Sequence, residues 1–557
     1  MRRLLACAAV GLALVSGCAT KGVHEGHGGP ALAASATGRQ APLFDDLGDH
    51  HHAITTKSPE SQRYFDQGLV LAWGFNHAEA GRAFREAARL DPDCAMCWWG
   101  ASLVLGPNIN AAMEDGAVPD AWGALQKAVA LAPKASEAER AYIDALSKRY
   151  AAKPPKDRKP LDVAYADAMR EVARRYPDDL DAAALFAEAL MDVTPWDYWE
   201  KDGRPKLWTP EILMTLESIL ARDPDHVAGI HFYIHATEAS ETPERAEKYA
   251  DKLGRLVPGA GHLVHMPAHT YMRVGRYHDA SLANEQAAKA DESYIAQCRA
   301  QGIYPLVYHP HNVHFLVASA AMEGRGAVSI AAARKLATHV DPKMMRTTGL
   351  ETLQHYAITP LFALTRFEKW DEILKEPRPA RGLDYPNGVW HYARGMASSA
   401  TGQPAAAAKE LAALRAIASK DALKGLTIWG FNSFASILGL AVEFLEADLA
   451  ARRGDVDGAV AHLTRAVALE DGLIYQEPPD WYAPARQALA ATLARARRWT
   501  EAEAAYRDDL ARNRENGWSL RGLAAALEAQ GREEEAEEVR KRFEKAWPLA
   551  DVRVAAR

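Results

Sequence analysis

The residues most suited to chemistry lie between Asp225 and Asp279. In DHVAGIHFYIHATEAS, His231 and His235 stand four apart and Glu238 follows three later. In GHLVHMPAHTYMRVGRYHD, His262, His265 and His269 keep the same steps of three and four. A further pair, His311 and His314, follows soon after. Residues three and four apart are neighbours on a helix surface, so each segment presents a compact polar stripe. Histidine is the commonest metal ligand. A mixed histidine and glutamate set suits zinc, with copper or nickel also compatible. An ion with an open position would acidify a bound water, with Glu238 as candidate general base. Met266 and Met272 stand nearby, and a thioether, better placed at Met272, would tilt the choice towards copper.

A plainer reading is a polar wall that holds a protein or peptide without metal. Isolated buried histidines are usually just hydrogen-bonded, and His77, His226, His278, His339, His391 and His462 are set aside on that ground. Pro267, between His265 and His269, either kinks one helix or starts a new one. In the second case His262 and His265 fall on an entry loop and the shared face weakens. Cys94-Ala-Met-Cys97 lacks the histidine of a haem-attachment site, since Trp98 follows. A structural disulfide or two inert thiols is the reading for that pair, and Cys298 is left over as a buried or reactive thiol. No nucleotide-binding loop, nucleophile elbow or HExxH motif occurs.

The elements that must position these groups are helices. The 557-residue chain is 48% apolar and 25% charged, with a net charge of -7, so it is too long for one ordinary core and lacks a nucleic-acid footprint. Alanine is abundant and β-branched runs are rare, which favours helix. The start, MRRLLACAAVGLALVSGCAT, is a basic tip and an apolar run too short to span a bilayer. Its Val15-Ser16-Gly17-Cys18 resembles the lipobox of bacterial lipoproteins. That resemblance implies a signal peptide over 1–17, lipidation of Cys18, and a membrane tether in the cell envelope. Ala19 in the next position resembles outer-membrane-directed lipoproteins, facing the periplasm. Residues 18–55, rich in Gly, Ala, His and Pro, read as a flexible linker. His24, His27 and the run His50-His51-His52 lie in or at the end of it, with His51 and His52 the better candidates for loose metal contact.

From Ser61 the sequence repeats with a period near 34 residues. With Pro92 as the closing proline, Tyr64, Gly68, Leu71, Ala80, Phe84 and Ala87 fall on the signature positions of the tetratricopeptide (TPR) repeat. Gly275-Arg276-Tyr277 with Ala280 and Ala287, Gly454 with Ala459 and Ala466, and Gly531-Arg532 with Ala536 repeat the register. The chain therefore resembles the TPR family and uncharacterised TPR lipoproteins of bacterial envelopes. The resemblance implies an all-α, right-handed α-solenoid of TPR-like helical hairpins with a concave inner groove. Its segments are 56–220 with loop insertions, 221–400 carrying the histidine cluster, and 401–557. In that register His231, His235, Glu238, His262, His265, His269, His311, His314 and His355 face the groove, where TPR proteins take peptides. Three loops interrupt the period: Gly106 to Asp120, Lys153 to Pro160, and Thr194 to Pro210. The last carries Trp196, Tyr198, Trp199 and Trp208, read as packing over the superhelix, with Asp192, Asp197 and Glu200 as spare carboxylates.

Overall fold

The computed structural model describes residues 41–298 and 304–552; the signal peptide expected over 1–17, the expected lipidation site Cys18, and His24 and His27 lie outside the described residues. Helices succeed one another as antiparallel hairpins, from Pro59–Trp73 with His77–Leu90 to Gly517–Glu528 with Glu533–Ala546. The sequence register explains the packing. Tyr64, Ala80, Phe84 and Ala87 are fully buried. A Cβ on Gly68 would sit 2.7 Å from the Phe84 ring, and one on Gly100 would also overlap that ring. Phe84 therefore fills a slot that only glycine leaves open on both neighbouring helices. This is the small-against-large fit by which stacked hairpins make one continuous core. The fold is an all-α solenoid of TPR-like hairpins, with a two-residue strand pair, Thr427–Ile428 and Asn432–Ser433, among the described residues.

The turns of many hairpins share a backbone device. Gly275, Gly324, Gly402, Gly454 and Gly531 adopt positive φ directly before the second helix begins, the left-handed cap that glycine takes without strain. Phe75, Glu368 and Arg497 hold the equivalent place with φ of 55°, 55° and 59°. A non-glycine residue costs about 1–2 kcal/mol there. Phe75 has a visible reason to stay, described below.

The solenoid also closes on itself. Lys201 donates to the carbonyls of Asp471 and Gly472, Tyr277 to that of Arg514, Trp518 to that of Ala321, and Trp547 to that of Met322. Successive superhelical turns thus touch, and loops from late repeats reach the inner face of early ones.

From Ala41 onward the expected linker is a packed strap. Ala41 and Leu47 are buried, and Thr55 bonds Glu139. Strap residues His50 and His52 meet Asp181 at 3.3 and 2.7 Å, while His226 holds its other oxygen at 3.1 Å. His226 Nδ1 accepts from Gly229 N–H, so its Nε2–H donates to Asp181. Burial opposes ionisation of both partners, but the contact wins: the His52 pKa is raised and that of Asp181 is held well below the carboxylate range. The histidine side of this clamp is fully present below pH 6.5 and is lost as pH rises through the raised His52 value. The aspartate side is fully present above pH 3.8 and is lost as pH falls through the depressed Asp181 value. Asp181→Asn is expected to free the strap by about 1.5–3 kcal/mol, the worth of hydrogen bonds to a charged group. Faster amide exchange over residues 41–58 at pH 6 reads this directly, and unchanged exchange contradicts it.

Candidate metal centre

Three consecutive hairpins supply the inner wall through their first helices. Val227–Glu238 carries His231, His235 and Glu238, and His309–Glu323 carries His311. Between them the chain forms two short helices, Gly261–His265 and Pro267–Val274. Pro267 therefore starts a new helix, as its missing N–H allows. The preceding residues stay helical all the same, so His262 and His265 are not on a loop. All of these side chains except His311 are almost completely buried.

Two trios result. One ring nitrogen from each of His231, His235 and His262 lies within 4.8 Å of the others, and the same holds for His265, His269 and His311. Glu238 joins the trios: Oε1 bonds His235 Nδ1 at 2.9 Å and Oε2 bonds His269 Nδ1 in a short contact. The sequence offered Glu238 as a general base. With both oxygens committed to imidazoles, it is instead a positioning carboxylate, which fixes ring orientation and tautomer. Asn284 does the same for His265. Its Nδ2 donates to Ala280 O, leaving Oδ1 to accept from His265 Nδ1 at 2.7 Å.

The tautomers have a consequence. With Glu238 ionised, His235, His265 and His269 each donate through Nδ1 and turn the Nε2 lone pair inward. His265 Nε2 and His269 Nε2 then face each other 2.9 Å apart, two acceptors that only a cation or a proton reconciles. His235 Nε2 and both ring nitrogens of His262 make no hydrogen bond, and the Trp73 backbone is the polar neighbour of the His231 ring. Buried polar atoms seldom stay unpaired. Burial lowers the pKa of His231, His235, His262 and His265, and brings His269 and His311 down to about 3, so the rings are neutral at pH 7.

His235, His262, His269 and His311 open onto a cavity of about 370 Å³. The interrupting loops roof it. Trp196 stands edge-on to the His235 ring at 5.0 Å and donates to Asn110 at 3.1 Å, so two of these loops meet over the histidines. The tryptophan loop does pack, as expected, but it packs on the site. Asp192 lines the cavity and pairs with Arg149 at 2.6 Å, whereas Asp197 and Glu200 are not on its wall. The positive φ of Phe75 now has its reason: its ring lies 4.8 Å from that of His231 and 5.3 Å from that of His262. Trp196 and Trp429, both on the cavity wall, also have positive φ. Strained backbone of this kind gathers at functional sites.

Some expected residues fall elsewhere. His314 packs its ring against His355 and Tyr356, at 5.3 and 5.4 Å, outside both trios. His355 accepts or donates at Tyr385 Oη, 2.7 Å away. Met266 and Met272 do not line the cavity. Cys94 and Cys97 form a disulfide. His226, His278, His391 and His462 each bond a carboxylate, the first and third of them buried and the other two partly exposed. Sequence reasoning missed Asn108, Asn110, Arg158, Tyr308, Trp429, Phe431, Tyr475 and Glu477, which complete the wall. Tyr475 donates to Glu477 Oε1 at 2.6 Å, Glu477 Oε2 is covered and unpaired, and burial raises the Glu477 pKa to about 8.

The class defined here is a TPR-like solenoid with a histidine-lined interior. No family model matches the chain, and no curated protein matches it. Among solved structures, the human IFIT1 dimer with m7Gppp-AAAA is 13% identical, covering 92% of this chain and 97% of that one at a TM-score of 0.29. Yeast Tom70 is 13% identical over 87% of this chain and 92% of its own, at 0.27. The P58(IPK) TPR domain is 12% identical over 87% and 99%, at 0.21. The class therefore rests on the hairpins themselves.

Proposed function

We propose that the chain is an envelope-tethered solenoid binding a transition-metal ion, zinc or copper, in its histidine wall. The ion serves metal handling or metal-assisted chemistry on a small molecule held in the cavity. The observation that carries this reading is the facing pair of Nε2 lone pairs at 2.9 Å, beside the unpaired nitrogens of His235 and His262. An ion bound at about 2.0–2.1 Å by imidazole nitrogen accommodates adjacent ligands at such a separation. The tether follows the lipobox-like start and would place the centre on the periplasmic side of the outer membrane.

A metal-free scaffold for a protein or peptide is the second reading, and one observation favours it. Burial raises the Glu238 pKa. A proton on Glu238 Oε2 would be donated to His269 Nδ1, letting His269 Nε2–H donate to His265 without any ion. That closure still leaves the nitrogens of His235 and His262 unpaired. Equilibrium dialysis of the untagged protein against zinc or copper separates the readings. Bound metal whose amount falls in His235→Ala and in His269→Ala, with His278→Ala unchanged, is the expected result. No bound metal in a correctly folded wild type overturns it.

A further inference from the structure

We infer that the wall holds two metal ions, one on His231, His235 and His262 and the other on His265, His269 and His311. This rests on the metal-binding reading above and extends it to the number, placement and open positions of the ions. Each trio brings three imidazole nitrogens within 4.8 Å of one another, and the two sets share no residue. Three imidazoles with a fourth position free is the donor set of a catalytic zinc site and equally suits copper.

Glu238 is placed for two centres. A carboxylate that orients one ligand needs one oxygen; this one gives Oε1 to a histidine of the first trio and Oε2 to a histidine of the second. One ion shared by His235 and His269 would use both bonds as well, so the number of ions rests on the two separate trios. Two members of each trio, His235 and His262 on one side and His269 and His311 on the other, line the same cavity. The open position of each ion therefore faces the same space, where water or hydroxide completes the coordination. Two carboxyl groups stand beside the trios: Glu238, bonded to both, and Glu477, whose Oε2 is covered and unpaired on that wall. A metal pair facing one cavity takes a small oxygen-donor ligand across both ions, the clamp that two-metal sites use. The ligand class is thus a small oxyanion or an ester or amide carbonyl compound, bounded by aromatic rings of Trp196, Tyr308 and Trp429.

Titration of the metal-stripped mature protein with Zn2+ against a chromophoric chelator tests the number of sites. The expected result is two tightly bound equivalents, falling to one in His262→Asn and to one in His311→Asn, with circular dichroism unchanged. If His262→Asn does not fold, His231→Asn replaces it, because it removes a ligand of the same trio. One equivalent in wild type, abolished by either variant, overturns the two-ion inference while leaving the metal reading intact. Zero equivalents overturns both.

Discussion

Glu238→Gln is expected to weaken the proposed metal binding by about 10–100-fold, the usual cost of removing a carboxylate that orients ligating histidines. The reason is specific to this geometry. An ionised glutamate accepts from His235 Nδ1–H and His269 Nδ1–H together. Glutamine has one accepting oxygen and an NH2 that only donates. One of the two histidines must then flip its tautomer, placing a proton on the Nε2 that would bind the ion. The substitution preserves size, so the fold survives and the loss is read as affinity. Competition with a chelator measures it; wild-type affinity in the variant contradicts the role assigned to Glu238.

Acid unfolds the metal-free protein over a narrow range below pH 6.5. His231, His235, His262, His265, His269, His314 and His355 are buried and His311 partly so, all with lowered pKa values, burial being the leading cause. A depressed folded pKa contributes stability that is present above the unfolded value, here 6.5, and is lost as pH falls. Each neutral imidazole then subtracts about 1.4 kcal/mol per pH unit. Several acting together remove on the order of 10 kcal/mol by pH 5, comparable with the whole stability of a typical domain. Metal bound only to the folded state shifts this transition to lower pH. Thermal melts across pH 5 to 7, with and without zinc, check both parts. A flat profile in the metal-free protein contradicts the buried neutral histidines.

The wall of the site was legible because first-helix positions repeat, so the steps of three and four put His231, His235, His262, His265, His269 and His311 on one inner face. The role of Glu238 was half legible. Its bond to His235 follows from a three-residue step, whereas its bond to His269 spans 31 residues and depends on how two hairpins stack. His314 lies three residues from His311, but its ring points to the following hairpin, at His355. The roof left no local pattern at all. Trp429, Tyr475 and Glu477 reach the cavity because the superhelix closes on itself through contacts such as Lys201 with Asp471. Short-range spacing does not encode that closure. Phe75 did carry a signal: a bulky residue at a hairpin turn where five other repeats place glycine.

X-ray absorption at the metal edge of the zinc- or copper-loaded mature protein tests the central claim most directly. A first shell dominated by nitrogen at about 2.0–2.1 Å for zinc, with the outer-shell scattering of several imidazoles, is the expected result. An ion held by oxygen or sulfur alone, or a protein that takes up no metal at all, contradicts it.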